Sequence, residues 1–243
     1  MKKIKIKIDY NFKIILIGEH ESGISQILLR YTDCGDFIFT EEKLRYWIEY
    51  RIRILKIYDK TVKLQIWDNP PHGCIRYIGI PFKQYKYERL YKGTHGFIFV
   101  YDLSEINSFE KIKEKIYEMK KYEKEKFYYS NICKILIGNK CDIDLSQRCV
   151  NEYEVKKFAS DNNMDYFETS AKNNINIDEA FECLTRNMVE KADMDENYMK
   201  GFSLYKIKND GEIFRFWNKK VFISFVILVL ILIIKKILFY FYY

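Results

Sequence analysis

Residues 133–142 read CKILIGNKCD. Cys133 to Ile137 form a short apolar run that stops at Gly138, the pattern of a strand buried on both faces and entering a turn. A polar group follows at once: Asn139, Lys140, Cys141 and Asp142. Open α/β sheets bind their ligands beyond the carboxyl ends of the strands. An amide, an ammonium and a carboxylate set directly after a buried strand therefore point to a binding loop.

The arrangement recurs on both sides of this stretch. FKIILI (12–17) runs into Gly18, Glu19, His20, Glu21, Ser22, Gly23, Ile24 and Ser25, and Tyr166–Phe167 runs into Glu168, Thr169, Ser170, Ala171 and Lys172. Ile24–Tyr31 reads as a helix. Ile48–Ile57 and Thr61–Trp67 are β-rich and read as a hairpin turning at Tyr58, Asp59 and Lys60. GFIFVY (96–101) is another buried strand. Ser104 is expected to open a helix whose Phe109, Ile112, Ile116 and Met119 form one apolar stripe. Asn151 and Glu154 make a capping-box start for a helix that turns Val155, Phe158 and Ala159 inwards. Asn176 and Glu179 begin a last helix with Ile177, Ala180, Phe181, Leu184 and Met188 on one side. Strands alternating with helices predict an α/β domain, with a mostly parallel six-stranded sheet covered by helices on both faces.

The 243 residues are 48% hydrophobic and 31% charged, which excludes a disordered chain; 10 Gly and 3 Pro exclude collagen-like classes. The net charge of +7 is unevenly placed. Residues 1–199 carry 33 basic and 32 acidic side chains, whereas 200–243 carry 8 and 2. The folded part has no broad basic surface, so nucleic acid is not expected as a partner. The basic excess flanks Val221–Ile234 (VFISFVILVLILII), which is apolar all round. As a helix, residues 221–243 would reach roughly 34 Å, enough for the ~30 Å hydrocarbon core if Lys235 and Lys236 snorkel. Arg215, Trp217, Lys219 and Lys220 stand on the side expected to be cytosolic. The expectation is a C-terminal membrane helix; the alternative is a buried C-terminal helix. The amino terminus, MKKIKIKID, has no apolar core of a signal peptide. Six scattered cysteines with no C-x-x-C pair suggest neither a metal cage nor a disulfide framework, and none follows Cys183, so no C-terminal prenylation is expected.

Taken together, LLRYTD (28–33), KLQIWD (63–68), FVYDLS (99–104), ILIGNKCD (135–142) and ETSAKNNINIDEAF (168–181) resemble the Ras superfamily of small GTPases, the Rab branch most closely. The resemblance covers roughly residues 10–192. It implies a Rab-like P-loop small-GTPase domain at 1–192, a polar and basic linker at 193–220 and the hydrophobic tail at 221–243. It further implies GTP or GDP with Mg²⁺, effector or adaptor proteins on the switch surfaces, and a place at the cytoplasmic face of an intracellular membrane, in vesicle traffic. By resemblance, Asp142 accepts from the guanine N1 and N2 groups, Asn139 tethers the loop, and the stem of Lys140 covers one face of the base. The Ala171 N–H meets the guanine oxygen, with Ser170 and Lys172 bracing it.

The phosphate side departs from the family's pattern. G-x-x-x-x-G-K-[ST] is matched by Gly18, Gly23 and Ser25, but Ile24 stands at the lysine. Glu21 occupies a position that is usually small. Ser25 and Asp68 remain as the metal-side pair. After Asp68 the chain reads Asn69, Pro70, Pro71 and His72, so a proline with no N–H replaces the glycine that senses the γ-phosphate. His72 replaces the glutamine that orients water. The following stretch, with IPFKQYKYERL (80–90), is about eight residues longer than usual. In the first switch Arg45, Tyr46 and Trp47 stand where a threonine is expected, with Thr40 a displaced candidate. No confident catalytic residue emerges. The expectation is retained guanine recognition with impaired hydrolysis and switching; the alternative is a nucleotide-free pseudoGTPase acting as a membrane-anchored adaptor.

Overall fold

Strand β1 (Tyr10–Gly18) shows why the sheet is central: Phe12, Ile14 and Leu16 point to one face, Ile15 and Ile17 to the other, and all five are buried. A strand apolar on both sides needs a cover on both sides. The computed structural model describes residues 7–19, 21–33, 50–68, 93–126 (side chains to 120), 132–195 and Tyr198. In chain order, β1 is followed by α1 (Ile24–Thr32), β2 (Tyr50–Ile57), β3 (Lys60–Asp68), β4 (Gly96–Asp102), α2 (Ile106–Lys126), β5 (Cys133–Asn139), α3 (Glu152–Asp161), β6 (Asp165–Thr169) and α4 (Ile177–Met194). The six strands lie in the order β2-β3-β1-β4-β5-β6. Only β2 is antiparallel to its neighbour β3; the other pairings are parallel.

Two cores result. Phe12, Ile14, Leu16, Ile98, Val100, Ile135 and Ile137 pack under α1 and α4, and Tyr31 of α1 stacks on Phe181 of α4 with ring centroids 3.8 Å apart. Ile15, Ile17, Phe97, Phe99, Tyr101 and Leu136 pack under α2 and α3. The expected α/β sheet with helices on both faces is what is found. The stripe Phe109, Ile112, Ile116 and Met119 is buried as its spacing requires.

Three local expectations shift. The helix after β4 begins at Ile106, not at Ser104, because Ser104 is engaged elsewhere: its N–H and hydroxyl both donate to Asp102 Oδ1, at 2.8 and 2.6 Å. Asn151 does cap α3, accepting from the Tyr153 N–H at 2.9 Å, but Glu154 pairs with Lys113 across to α2. Asn176 precedes α4 without capping it; its Nδ2 donates to the Glu168 carbonyl instead.

Among the described residues no helix is long and apolar enough to cross a membrane. The hydrophobic segment 221–243 lies outside them, as do Thr40, Arg45, Tyr46, Trp47, Pro71 and His72.

Candidate functional site

The carboxyl ends of β1, β3, β4, β5 and β6 lie along one rim of the sheet, and parallel register aligns them: Leu16 with Asp68, Gly18 with Val100, Asp102 with Asn139, and Asn139 with Thr169. The predicted site residues within the described chain fall on this rim or in the loops above it, with Ser25 in the first turn of α1.

Asn139 is its centre. It is 2% exposed, and its side chain serves three segments at once. Nδ2 donates to the Ser22 carbonyl at 2.9 Å; Oδ1 accepts from the Thr169 hydroxyl at 3.2 Å and from the Ala171 N–H at 3.3 Å. The loop after β1, the loop after β5 and the loop after β6 are thus tied by one amide. Gly23 has φ of 87°, and a Cβ there would overlap Asn139 Nδ2, so glycine is required on both counts. Gly18 is also crowded: an added Cβ would lie 2.6 Å from the Val100 carbonyl oxygen.

Asp142 stands exposed above this centre. Its Oδ1 accepts from the Ser170 hydroxyl at 2.6 Å; among the described residues Oδ2 has no partner. Ser170 Oγ in turn accepts from the Asn173 N–H at 3.0 Å, and Ser170 pairs with Ile175 to close the loop. Arg30, from α1, grips the same loop from behind: Nε donates to the Ala171 carbonyl and Nη2 to the Lys172 carbonyl, both at 2.8 Å. Lys140 adopts φ of 68° and sets its Nζ 2.6 Å from Asp102 Oδ2, so its aliphatic stem is drawn along the rim. Arg148 pairs with Glu168 at 2.7 Å and holds the base of both loops together.

The other end of the rim is differently made. Ser25 Oγ donates to Asp68 Oδ2 at 2.6 Å, which brings the two expected metal-side oxygens together. Ile24 is 7% exposed and belongs to the core under α1 and α4. Glu21 holds φ of 69°, a left-handed conformation that suits glycine better than an acid. Glu19 is met by Lys115 and Lys111 of α2. Among the described residues no three His, Cys, Asp or Glu side chains cluster to hold a metal.

Asp102, Arg30, Arg148 and Lys115 were not expected at the site. Asp102 had a local signal, since it ends a buried strand at the same rim. The other three reach in from helices or a distant turn; Arg30 lies within LLRYTD (28–33), but nothing in that segment marks its reach to the loop after β6.

Comparison with known proteins agrees with this geometry. The family model described as Ras family matches residues 13–190. Ras-related protein Rab-1 of Theileria parva is 37% identical over 185 residues, covering 76% of this chain and 77% of that protein. Ras-related protein RABD2c of Arabidopsis thaliana is 36% identical over 177 residues, covering 73% and 80%. GTP-binding protein YPT1 of Saccharomyces cerevisiae is 37% identical over 186 residues, covering 75% and 81%. The chain therefore belongs to the Ras superfamily, as a small GTPase of the Rab type.

Proposed function

We propose that this protein is a Rab-like guanine-nucleotide-binding protein of intracellular membrane traffic, with GTP hydrolysis and γ-phosphate switching much reduced. The observation that supports it best is the tether made by Asn139, which holds the Ser22, Thr169 and Ala171 segments together while Asp142 keeps one carboxylate oxygen towards solvent. A carboxylate with one oxygen braced by Ser170 is set to accept from a paired N–H edge such as that of guanine. Lys140, held by Asp102, lays its stem where it can cover one face of a base.

The residues at the other end fit a Mg²⁺-nucleotide only in part. Ser25 and Asp68 are the hard oxygen donors that Mg²⁺ takes, and this ion is ordinarily completed by phosphates and water. When bound, it neutralises charge on the β- and γ-phosphates. Ile24 offers neither charge nor donor and lies in the core, so phosphate binding falls to the backbone N–H groups of the loop and the amino end of α1. Losing one charge-assisted contact costs about 1.5–3 kcal/mol, roughly ten- to a hundredfold in affinity. Binding that is tight at the outset survives such a loss; catalysis that depends on Pro71 and His72 in place of glycine and glutamine does not.

The second reading, a nucleotide-free adaptor, is favoured by Ile24, Pro71 and His72, which leave the phosphate side without its usual cation, γ-phosphate N–H and water-orienting glutamine. In either case residues 221–243 act as a tail anchor at the cytoplasmic face of a membrane, and the switch surfaces bind effector or adaptor proteins.

Chromatography of nucleotide released from the purified full-length chain separates the two readings. Near-stoichiometric guanine nucleotide, lost in Asp142→Ala, is expected. No nucleotide, together with no uptake of fluorescent GDP at micromolar concentration, would favour the adaptor.

A further inference from the structure

We propose that Lys115, seconded by Lys111, offsets from helix α2 the negative charge of Glu19 in a phosphate loop that has no cation at position 24. The inference rests on the nucleotide-binding reading above and assigns a role to residues outside the loop itself.

The loop after β1 carries two carboxylates, Glu19 and Glu21, and has an isoleucine at the position of its expected cation. A polyanion approaching such a loop meets repulsion from side chains before it reaches the backbone donors. Two lysines of α2 come to this point from far along the chain. Lys115 Nζ lies 2.5 Å from Glu19 Oε1 and 3.4 Å from the Gly18 carbonyl oxygen. Lys111 Nζ lies 3.5 Å from Glu19 Oε2. Positions 111 and 115 are one helical turn apart and share a face. The stripe formed by Ile112, Ile116 and Met119 is buried against the sheet, which fixes that face beside the loop.

Burial distinguishes the Lys115 pair from an ordinary surface bridge. The Lys115 and Glu19 side chains are 17% and 19% exposed, so their fields are only partly screened. Lys115 touches both a carboxylate and a main-chain carbonyl at the start of the phosphate loop. It therefore offsets the charge of Glu19 at the start of the loop. Lys115 acts through the loop, as a positioning and charge-compensating residue, and its contribution follows the net charge it leaves there.

That dependence gives a test that a mere brace would fail. Affinity for GDP is measured on the full-length chain in detergent by displacement of a fluorescent GDP, at low and high salt. Lys115→Gln is expected to weaken GDP binding about tenfold, with the loss shrinking at high salt. Glu19→Gln breaks the same ion pair yet removes a negative charge, so it is expected to tighten binding. The double variant is expected near the wild type, and Lys115→Arg should retain wild-type affinity. If Glu19→Gln and Lys115→Gln weaken binding alike, the pair is a structural brace and the proposal is overturned; an unchanged affinity in Lys115→Gln overturns it too. Thermal melting without nucleotide identifies any variant that has lost its fold, and Lys115→Arg against Glu19→Gln then carries the comparison. Failure of the wild type to bind GDP overturns the nucleotide-binding reading itself, whereas binding that ignores these charges overturns this inference alone.

Discussion

The side-chain amide of Asn139 donates to the carbonyl oxygen of Ser22 at 2.9 Å, joining residues 117 positions apart in the chain. Both are buried, at 2% and 1% exposure, and the bond makes the base-side and phosphate-side loops one body. The loop after β1 therefore keeps its place even where its own residues have changed.

Asn139→Ala should accordingly damage the fold as well as binding. It strands a buried carbonyl, a hydroxyl and an N–H, each of which costs about 1–3 kcal/mol when left unsatisfied. An overall loss of about 2–4 kcal/mol is expected in urea denaturation, allowing for partial relaxation. Asn139→Asp retains both acceptor contacts but turns a buried carboxylate oxygen on the Ser22 carbonyl oxygen, so it should also destabilise at neutral pH and recover part of the loss when the carboxyl is protonated at low pH. An Asn139→Ala variant as stable as the wild type would show that the tether contributes nothing to the fold.

Ile24→Lys tests the phosphate side directly. Replacing a side chain buried with Ile27 and Leu28 removes core area and should lower stability by about 1–3 kcal/mol. The same change returns a cation to the loop, and GDP affinity should rise at least tenfold. Opposite movement of melting temperature and affinity is the expected signature. A variant that loses stability with no gain in affinity would mean that phosphates do not sit at this loop.

His95 gives the domain an acid-sensitive point remote from the site. Its Nδ1 accepts from the Lys13 N–H at 3.0 Å, and Tyr198 donates its hydroxyl to the His95 carbonyl. Burial, with the nearby Lys13 charge, pulls the imidazole down from 6.5 to about 4. The unfolded chain then binds the extra proton across that window, so stability is full above about pH 6.5 and falls as pH drops towards 4. The loss is at most about 3 kcal/mol. Comparing denaturation of wild type and His95→Asn at pH 7 and pH 5 should show a smaller acid loss in the variant. Equal slopes would assign the acid sensitivity to carboxylates instead.

What could be read from the sequence was what is local. FKIILI, GFIFVY and CKILI announced parallel strands because burial on both faces leaves no polar alternation. The Asn139–Asp142 and Thr169–Lys172 loops were legible because each directly follows such a strand. Ser104 misled because a serine before a helix usually caps it, yet here the carboxylate of Asp102 captures its hydroxyl two residues back. Arg30 gripping Ala171 and Lys115 meeting Glu19 could not be foreseen, since the partners are 141 and 96 positions apart. A lone lysine or arginine on a helix also has no pattern of its own.

Tyr198 is 3% exposed; its hydroxyl donates to the His95 carbonyl at 3.0 Å, and its ring packs edge-on to Phe12. Tyr10 donates to Asp193 at 2.5 Å. These contacts hold the end of the domain at the amino ends of β1 and β4, opposite the rim that carries Asn139 and Asp142. The tail-anchor reading rests on the sequence, in which Arg215, Lys219 and Lys220 stand ahead of an apolar segment. Deleting residues 216–243 should then convert a protein that pellets with membranes after carbonate extraction into one that remains in the supernatant, with GDP binding unchanged. Replacing Ile227 and Leu230 by lysine should do the same without shortening the chain, because a charge near the bilayer centre costs about 2.5–3.5 kcal/mol each on insertion. A carbonate-resistant pellet from either variant would mean that attachment resides in the folded domain, and the tail-anchor reading would fall.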